Sequence, residues 1–199
     1  MSHGKLTEVF TGIFGLNDSE YAFLISQYSE LHRHYHTLAH IEDCLFKCDI
    51  GIEHINDLKS FQIALLYHDI FYDPKRKDNE EKSADYAFKF LNQLHFQNAQ
   101  KVKDLILLTK HPSVPKTQDE KLLLDIDLSI LGEDKNTYEK YEENIRKEYI
   151  HVPKVMYKLG RKKLLKKFLA QERLFQTDIF FEKYEEQARV NIEWAINKL

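Results

Sequence analysis

Apolar residues recur at helical spacing along almost the whole chain, and little in the sequence interrupts that spacing. Only six Gly and four Pro occur among the 199 residues. Runs of alternating β-branched residues, which indicate strands, are missing. The pattern predicts an all-α fold: a single compact multi-helix bundle that covers residues 1–199 as one domain, without an internal repeat or a low-complexity linker.

Capping residues before the apolar runs and prolines after them set the expected helix ends. Asn17, Asp57 and Asn98 are placed to cap three helices. The segment around Pro112 is expected to turn, because proline cannot continue a helix. The helices are expected over residues 18–28, from about 37 onwards, and over 58–70, 79–94, 99–110, 118–131, 137–149, 161–176 and 178–197.

A histidine–aspartate pair, His68 and Asp69, ends a strongly apolar run. His40 lies upstream of it and Asp127 downstream. Two imidazoles and two carboxylates suit manganese, iron, cobalt, nickel, magnesium or zinc, and the absence of a thiolate argues against a closed structural zinc site. The set predicts a divalent metal ion as cofactor and, through activated water, the hydrolysis of a phosphate ester.

The spacing of these residues constrains their geometry. Neighbours on a helix point about 100° apart, so His68 and Asp69 can reach one ion only near a helix end or at a local distortion. His36 and His40 are four residues apart and are expected to share a helical face. His40 would then bind the ion, while His36 would point at whatever the ion holds.

The order of His40, His68-Asp69 and Asp127 resembles the HD-domain superfamily of metal-dependent phosphohydrolases. Within it, the chain is most similar to a subgroup of predicted phosphohydrolases. The resemblance covers most of the chain and implies an HD-type helical fold and metal site, but hardly constrains the substrate. It is carried by RHYHT at 33–37, YHDIFYD at 67–73, DNEEKSA at 78–84, TKH at 109–111, DIDLSILG at 125–132 and ARVN at 188–191.

The resemblance also implies roles for individual carboxylates. The last aspartate of the superfamily precedes an apolar residue within a helix, which favours Asp127 over Asp125 as the ligand. Asp125 would then orient a ligand or cap a helix. Related nucleotidases use a glutamate shortly after the His-Asp pair as the proton donor, which points to Glu80 and Glu81. Glutamates also collect at helix N-termini for electrostatic reasons, and Asp69 is an alternative base.

Further side chains would neutralise phosphate charge. The sequence offers Arg33, His36, Lys110 and His111 for this role, and the resemblance adds Arg146, whose guanidinium suits phosphate. Each of them also has a structural interpretation, as a surface charge or as half of an ion pair. One ion is favoured over two, because few histidines lie between the His-Asp pair and the last aspartate.

Charge and cysteine usage limit the partners. The formal net charge is −3, so no global basic field would attract nucleic acid, whereas a small phosphorylated metabolite in a local basic pocket is compatible. No apolar run suits a signal peptide or a membrane span. Cys44 and Cys48 are interpreted as small buried residues in a reducing compartment, which favours the cytoplasm. The oligomeric state is open, with a homodimer as one candidate.

The main prediction is therefore a phosphohydrolase that cleaves a phosphomonoester or phosphoanhydride of a small metabolite, with a nucleotide favoured. A non-catalytic regulatory module that binds metal and nucleotide remains an alternative, since binding needs the same ligands as turnover. An HD-type oxygenase with two irons is a second alternative, which the shortage of well-placed extra histidines disfavours.

Overall fold

The computed structural model describes residues 4–110 and 113–199. Secondary structure within these residues is helical, without strands, so the predicted all-α fold is confirmed. Two short 3₁₀ segments, Asp49–His54 and Ser129–Gly132, follow α3 and α7. The ten α-helices are α1 Gly4–Phe14, α2 Asp18–Tyr28, α3 Leu38–Cys48, α4 Leu58–Tyr67, α5 Asn79–Gln93, α6 Ala99–Leu108, α7 Gln118–Leu128, α8 Lys135–Glu148, α9 Lys154–Leu169 and α10 Asp178–Lys198.

Two helices depart clearly from the predicted pattern. α1 was not predicted, and α9 was predicted over residues 161–176, seven residues too late at both ends. Gly160 lies inside α9, and a Cβ added there would meet open space. Glycine lowers helix propensity by about 1 kcal/mol relative to alanine, but it does not end this helix. The helix ends at Leu169, after which Ala170 and Gln171 still donate to the carbonyl oxygens of Lys166 and Phe168.

The chain divides into two compact units, Met1–Leu123 and Leu124–Leu199. In the first unit α4 is the central helix. It contacts α1, α3, α5 and α6, and from Ser60 to Tyr67 every residue except Gln62 is buried. A helix that is apolar on all sides belongs in a core. The burial of α4 therefore fixes the position of its C-terminal end, where the His-Asp pair lies.

The second unit is built around α10, which packs against α8, α9 and the Ser129–Gly132 segment. Gly132 touches α10 so closely that a methyl group there would lie 2.5 Å from the carbonyl oxygen of Tyr184. The Asn191 side chain donates to the carbonyl oxygens of Leu131 and Glu133, at 2.9 and 2.7 Å. Only glycine allows this approach of the two segments.

Residues between α9 and α10 are held by a buried carboxylate of α10. Glu185 accepts hydrogen bonds from the backbone N–H groups of Leu174 and Phe175, at 2.9 and 3.1 Å. These N–H groups would bond to carbonyls four residues back if α9 continued to residue 176 as predicted. The side-chain acceptor thus keeps residues 174 and 175 out of a helical hydrogen-bond pattern.

In the part of the chain that the structure describes, each helix is either too short or too polar to cross a lipid bilayer. The prediction of a single domain stays a prediction.

Candidate metal centre

The His-Asp pair lies where α4 ends. The last helical residue is Tyr67, and His68 is the C-cap, with φ −59° and ψ −34°. Asp69 follows in the turn, so the two side chains are released from the 100° separation of a continuous helix. The expected position of the pair at a helix end is confirmed. The predicted helix end at residue 70 was three residues too late.

Three donor atoms converge at this helix end, and we call His40, His68 and Asp69 the His–Asp triangle. His40 Nε2 lies 3.3 Å from His68 Nε2 and 3.8 Å from Asp69 Oδ2, and His68 Nε2 lies 3.3 Å from the same Oδ2. The two imidazoles are buried, with 2% of each side chain exposed, whereas 16% of the Asp69 side chain is exposed. The triangle therefore opens towards solvent on its carboxylate side.

The size of the His–Asp triangle fits a divalent ion. A point equidistant from its three atoms lies about 2.0 Å from each, which is the distance at which imidazole nitrogen and carboxylate oxygen bind zinc. The same spacing also allows one N–H···N hydrogen bond between the imidazoles. The donor set of two nitrogens and one oxygen suits borderline divalent ions, and this part of the predicted ligand set is brought together.

A hydrogen bond fixes the tautomer of His68. Its Nδ1 lies 3.0 Å from the carbonyl oxygen of Leu65, one turn back on α4. A carbonyl oxygen only accepts, so Nδ1 carries the proton and Nε2 presents its lone pair to the triangle. Such an outer partner orients a ligating imidazole and raises its basicity.

Arg33 holds the turn that carries Asp69. The arginine is buried, and its Nη1 donates to the carbonyl oxygens of Asp69 and His36, at 2.7 and 3.1 Å. Its Nη2 donates to the carbonyl oxygen of Ile70 at 2.9 Å, and its Nε donates to Glu30. The guanidinium is thus engaged with protein oxygens on both terminal nitrogens. These contacts support a positioning role, while the predicted role in substrate binding stays a prediction.

His36 precedes α3 instead of sharing a helical face with His40. Thr37 is the N-cap of α3, so the interpretation of one common face was wrong. The rings of His36 and His40 nevertheless lie 6.0 Å apart, at a steep angle. The His36 ring stacks on Tyr72, with 4.1 Å between the centroids. His36 is therefore beside the His–Asp triangle, as expected, but is placed there by the loop before α3.

A second ring also lies against His40. The centroid of the Tyr35 ring is 4.8 Å from that of His40. No role was predicted for Tyr35 or Tyr72, although both lie within the quoted motifs. The only available signal was that Tyr35 adjoins His36 in the sequence and that Tyr72 lies three residues after Asp69.

Two of the predicted charged residues are paired with each other. Lys110 donates to Glu81, the second glutamate of α5, and to the carbonyl oxygen of Lys77. The hydrogen bond from Lys110 holds the pKa of Glu81 below its usual range, so Glu81 is ionised at neutral pH and poorly suited to donate a proton. Its neighbour Glu80 lies in the same first turn of α5.

His111 and Arg146 are the remaining predicted residues of the phosphate site. His111 lies outside the described residues. Arg146 belongs to the second unit, where it donates to the carbonyl oxygens of Tyr149 and Val152, at 2.6 and 3.1 Å, and covers the ring of Tyr157. Roles of Arg146 and His111 in substrate binding stay predictions.

The choice between Asp125 and Asp127 is informed by contacts within the second unit. Asp125 is fully buried, and it accepts hydrogen bonds from the backbone of Gln176 and from the backbone and hydroxyl of Thr177, at 2.6–2.7 Å. Thr177 is the N-cap of α10, so Asp125 reinforces a helix start, one of the two roles predicted for it. Asp127 points to another side of α7, since residues two apart differ by about 200°. Its metal ligation stays a prediction.

The two cysteines behave as predicted from their spacing. Cys44 and Cys48 are buried and free of any disulfide. Burial raises the pKa of the Cys48 thiol to about 12, so it is not a thiolate at neutral pH. Cys44 Sγ lies 3.7 Å from His40 Nδ1 and 3.8 Å from His40 Nε2, so the thiol lies beside the His40 ring.

Comparisons with models of protein families, with curated proteins and with solved structures give no match to this chain.

Proposed function

We propose that this chain is a metal-dependent phosphohydrolase of the HD-domain kind. The observation that carries the proposal is the convergence of His40 Nε2, His68 Nε2 and Asp69 Oδ2 on a point about 2.0 Å from each. The substrate class is a phosphomonoester or phosphoanhydride of a small metabolite, with a nucleotide favoured. One divalent ion, from among manganese, iron, cobalt, nickel, magnesium and zinc, is the expected cofactor.

A bound divalent ion would supply a water acidic enough to attack near neutral pH and a positive charge against a phosphoryl oxygen. The chain itself supplies the geometry. Leu65 fixes the tautomer of His68, and Arg33 fixes the backbone of Asp69. Asp127 is the predicted fourth ligand, on the sequence pattern alone.

The proton steps are assigned to carboxylates. Asp69 uses Oδ2 in the His–Asp triangle, so its Oδ1 is the atom that would accept a proton from the attacking water. Glu80 is preferred over Glu81 as the proton donor to the leaving group, because Lys110 favours the ionised form of Glu81.

The aromatic residues beside the His–Asp triangle support a substrate with a planar part. His36 and Tyr72 form a stacked pair whose centroids are 4.1 Å apart, and neither residue is buried. Stacked rings at the edge of a site offer a surface for a base. This is why a nucleotide is favoured over a sugar phosphate.

The test combines metal content with phosphate release. Purified protein is analysed by mass spectrometry for metals and then screened for phosphate release from nucleotides and sugar phosphates with each of the six ions. Asp69→Asn keeps the size of the side chain but removes its charge, and we expect it to lose turnover while remaining folded by circular dichroism. His54→Ala, an exposed histidine on the Asp49–His54 segment, is the matched control.

Turnover in the wild type and in His54→Ala, but not in Asp69→Asn, would support the proposal. Protein that binds metal but releases no phosphate from any compound of the panel would favour the regulatory module instead. Protein that binds none of the six ions would contradict both.

A further inference from the structure

A cavity lined by charged and aromatic residues lies wholly within the Leu124–Leu199 unit, and we call it the α8–α10 cavity. Its volume is about 480 Å³, within the range of small-molecule sites. It is lined by one face of α8, by the first turns of α9 and by the last turn of α10. None of the predicted metal ligands lines it.

Five cations line the α8–α10 cavity, and none has a carboxylate partner among the described residues; one of them, Lys147, donates to the amide oxygen of Asn144. No hydrogen bond or ion pair joins Lys154 or Lys158 of α9 to another residue of the described chain. Arg146 donates only to carbonyl oxygens, and Lys198 lies over the indole of Trp194, 4.5 Å from its centroid. Cations without a counter-charge in a concave surface attract an anion.

The carboxylates that line the cavity are already engaged. Glu142 accepts two hydrogen bonds from Arg161, at 2.6 and 3.1 Å, and a third from Tyr138. Glu139 and Glu143 each face a lysine of α8 that does not line the cavity, at 3.9 and 3.7 Å. The positive charges are therefore the ones left for a ligand.

Two aromatic residues complete the lining. Tyr157 is buried, and its hydroxyl has no hydrogen-bond partner in the described structure. Burial raises the pKa of Tyr157 to about 12, so the hydroxyl stays protonated at neutral pH and is a donor. Trp194 is partly exposed and offers a planar face at the end of α10. An aromatic ring stacked on the indole would use the exposed face of Trp194, and the cations would hold an anion.

We propose that the α8–α10 cavity binds a small phosphorylated molecule with an aromatic ring, of the nucleotide class. The phosphate would be held by Lys154, Lys158 and Arg146, and the ring would stack on Trp194 in place of the Lys198 ammonium. The proposal does not depend on the metal site, because every residue it uses belongs to the α8–α10 cavity.

Trp194 is the only tryptophan in the chain, so its fluorescence reports on this cavity alone. The protein is titrated with ATP in the presence of EDTA, which prevents metal-dependent hydrolysis. We expect saturable quenching with ATP and much weaker responses to adenosine, which lacks the charge, and to inorganic triphosphate, which lacks the ring. Equal responses to ATP and triphosphate, or to ATP and adenosine, would overturn the assignment of ligand class.

A pair of charge variants on one helix tests the cations. The double variant Lys154→Met and Lys158→Met removes two lining charges, and we expect ATP to bind at least about tenfold more weakly. The control is Lys163→Met with Lys167→Met, which removes the same charge from exposed positions of α9 outside the lining. Equal weakening in both double variants would show that the effect comes from the net charge of the protein and not from the lysines of the cavity. No quenching in the wild type would exclude the site.

Discussion

The two candidate sites of this protein, the His–Asp triangle and the α8–α10 cavity, differ in how firmly their side chains are held. In the His–Asp triangle, both imidazole rings are buried, the carbonyl oxygen of Leu65 orients His68, and Arg33 holds the backbone of Asp69. In the α8–α10 cavity, Lys154 and Lys158 are held by no other described side chain. If both proposals hold, the first site is preorganised for a small ligand with strict geometry, and the second adapts to a larger one.

This contrast follows from what each ligand requires. An ion needs donors at fixed distances of about 2 Å, so their orientation has to be settled before binding. A phosphorylated organic molecule tolerates variation in how lysines approach it, because the ammonium is a compact charge on a flexible stem. We therefore expect substitutions around the His–Asp triangle to have larger effects than those around the α8–α10 cavity.

The largest effect is expected from His68→Ala. It removes one of the three converging donors and the C-cap side chain of α4, and metal affinity should fall by about a hundredfold or more. Titration with Mn²⁺ or Zn²⁺ by calorimetry measures the change. An unchanged affinity in a folded His68→Ala protein would show that the ion is held elsewhere.

The next largest effect is expected from Arg33→Met, which touches no donor atom. The turn of Asp69 loses two hydrogen bonds, and we expect metal affinity to fall about tenfold to a hundredfold, as is usual for residues behind a ligand. Arg76→Met is the control, since Arg76 pairs with Asp78 in an exposed loop. Similar affinities in both variants would mean that the guanidinium does not position Asp69.

The two units also differ in their buried carboxylates. In the first unit, burial raises the pKa of Asp119, but hydrogen bonds from Asn56 and Lys101 outweigh it, and the net pKa lies below the usual range. In the second, burial raises the pKa of Asp125 more than the bonds from Thr177 and Gln176 lower it. Ionisation therefore favours folding at Asp119 and opposes it at Asp125.

The lowered pKa of Asp119 gives a prediction for the variant Asp119→Asn. The contribution of the Asp119 carboxylate to the free energy of unfolding is fully present above its pKa in the unfolded chain, about 3.9. It is lost as the pH falls through the lower pKa of the folded protein. The variant should lose about 1–3 kcal/mol at neutral pH and show a shallower decline of stability between about pH 4 and pH 2. Urea unfolding at several pH values, with exposed Asp104→Asn as control, measures both.

The smallest effect is expected from salt. Binding of ATP in the α8–α10 cavity relies on partly exposed cations, so raising the salt concentration from about 0.05 to 0.3 M should weaken it several-fold. Metal binding in the buried His–Asp triangle should change less, since buried charges are screened less. If salt weakened metal binding more than ATP binding, this prediction would be contradicted.

Local sequence predicted the helical fold and much of the first region well. The scarcity of Gly and Pro gave the all-α class, and the adjacency of His68 and Asp69 required the helix end at which they lie. Asp125 was expected to be a cap or an orienting residue, and it reinforces the start of α10. These features depend on neighbours in sequence or on regular periodicity.

Contacts between distant segments were not predictable in the same way. The pairing of Lys110 with Glu81 joins two residues that had been given separate roles. The clamp of Arg33 on the Asp69 turn spans 36 residues. The α8–α10 cavity collects Arg146, Tyr157 and Trp194 from three helices, and none of the quoted motifs contains these residues. Such sites exist only once tertiary packing has chosen which faces meet.

The burial of α4 on all sides bears on how the protein moves. Amide groups in such a helix exchange with solvent mainly through openings that approach global unfolding, whereas exposed loops open locally at low cost. His68 is the C-cap of this helix, and its Nδ1 bonds to the α4 residue Leu65. We therefore expect His68 to keep its native orientation while the periphery frays, so that the ligand end of α4 is among the last parts of the first unit to lose its structure on heating.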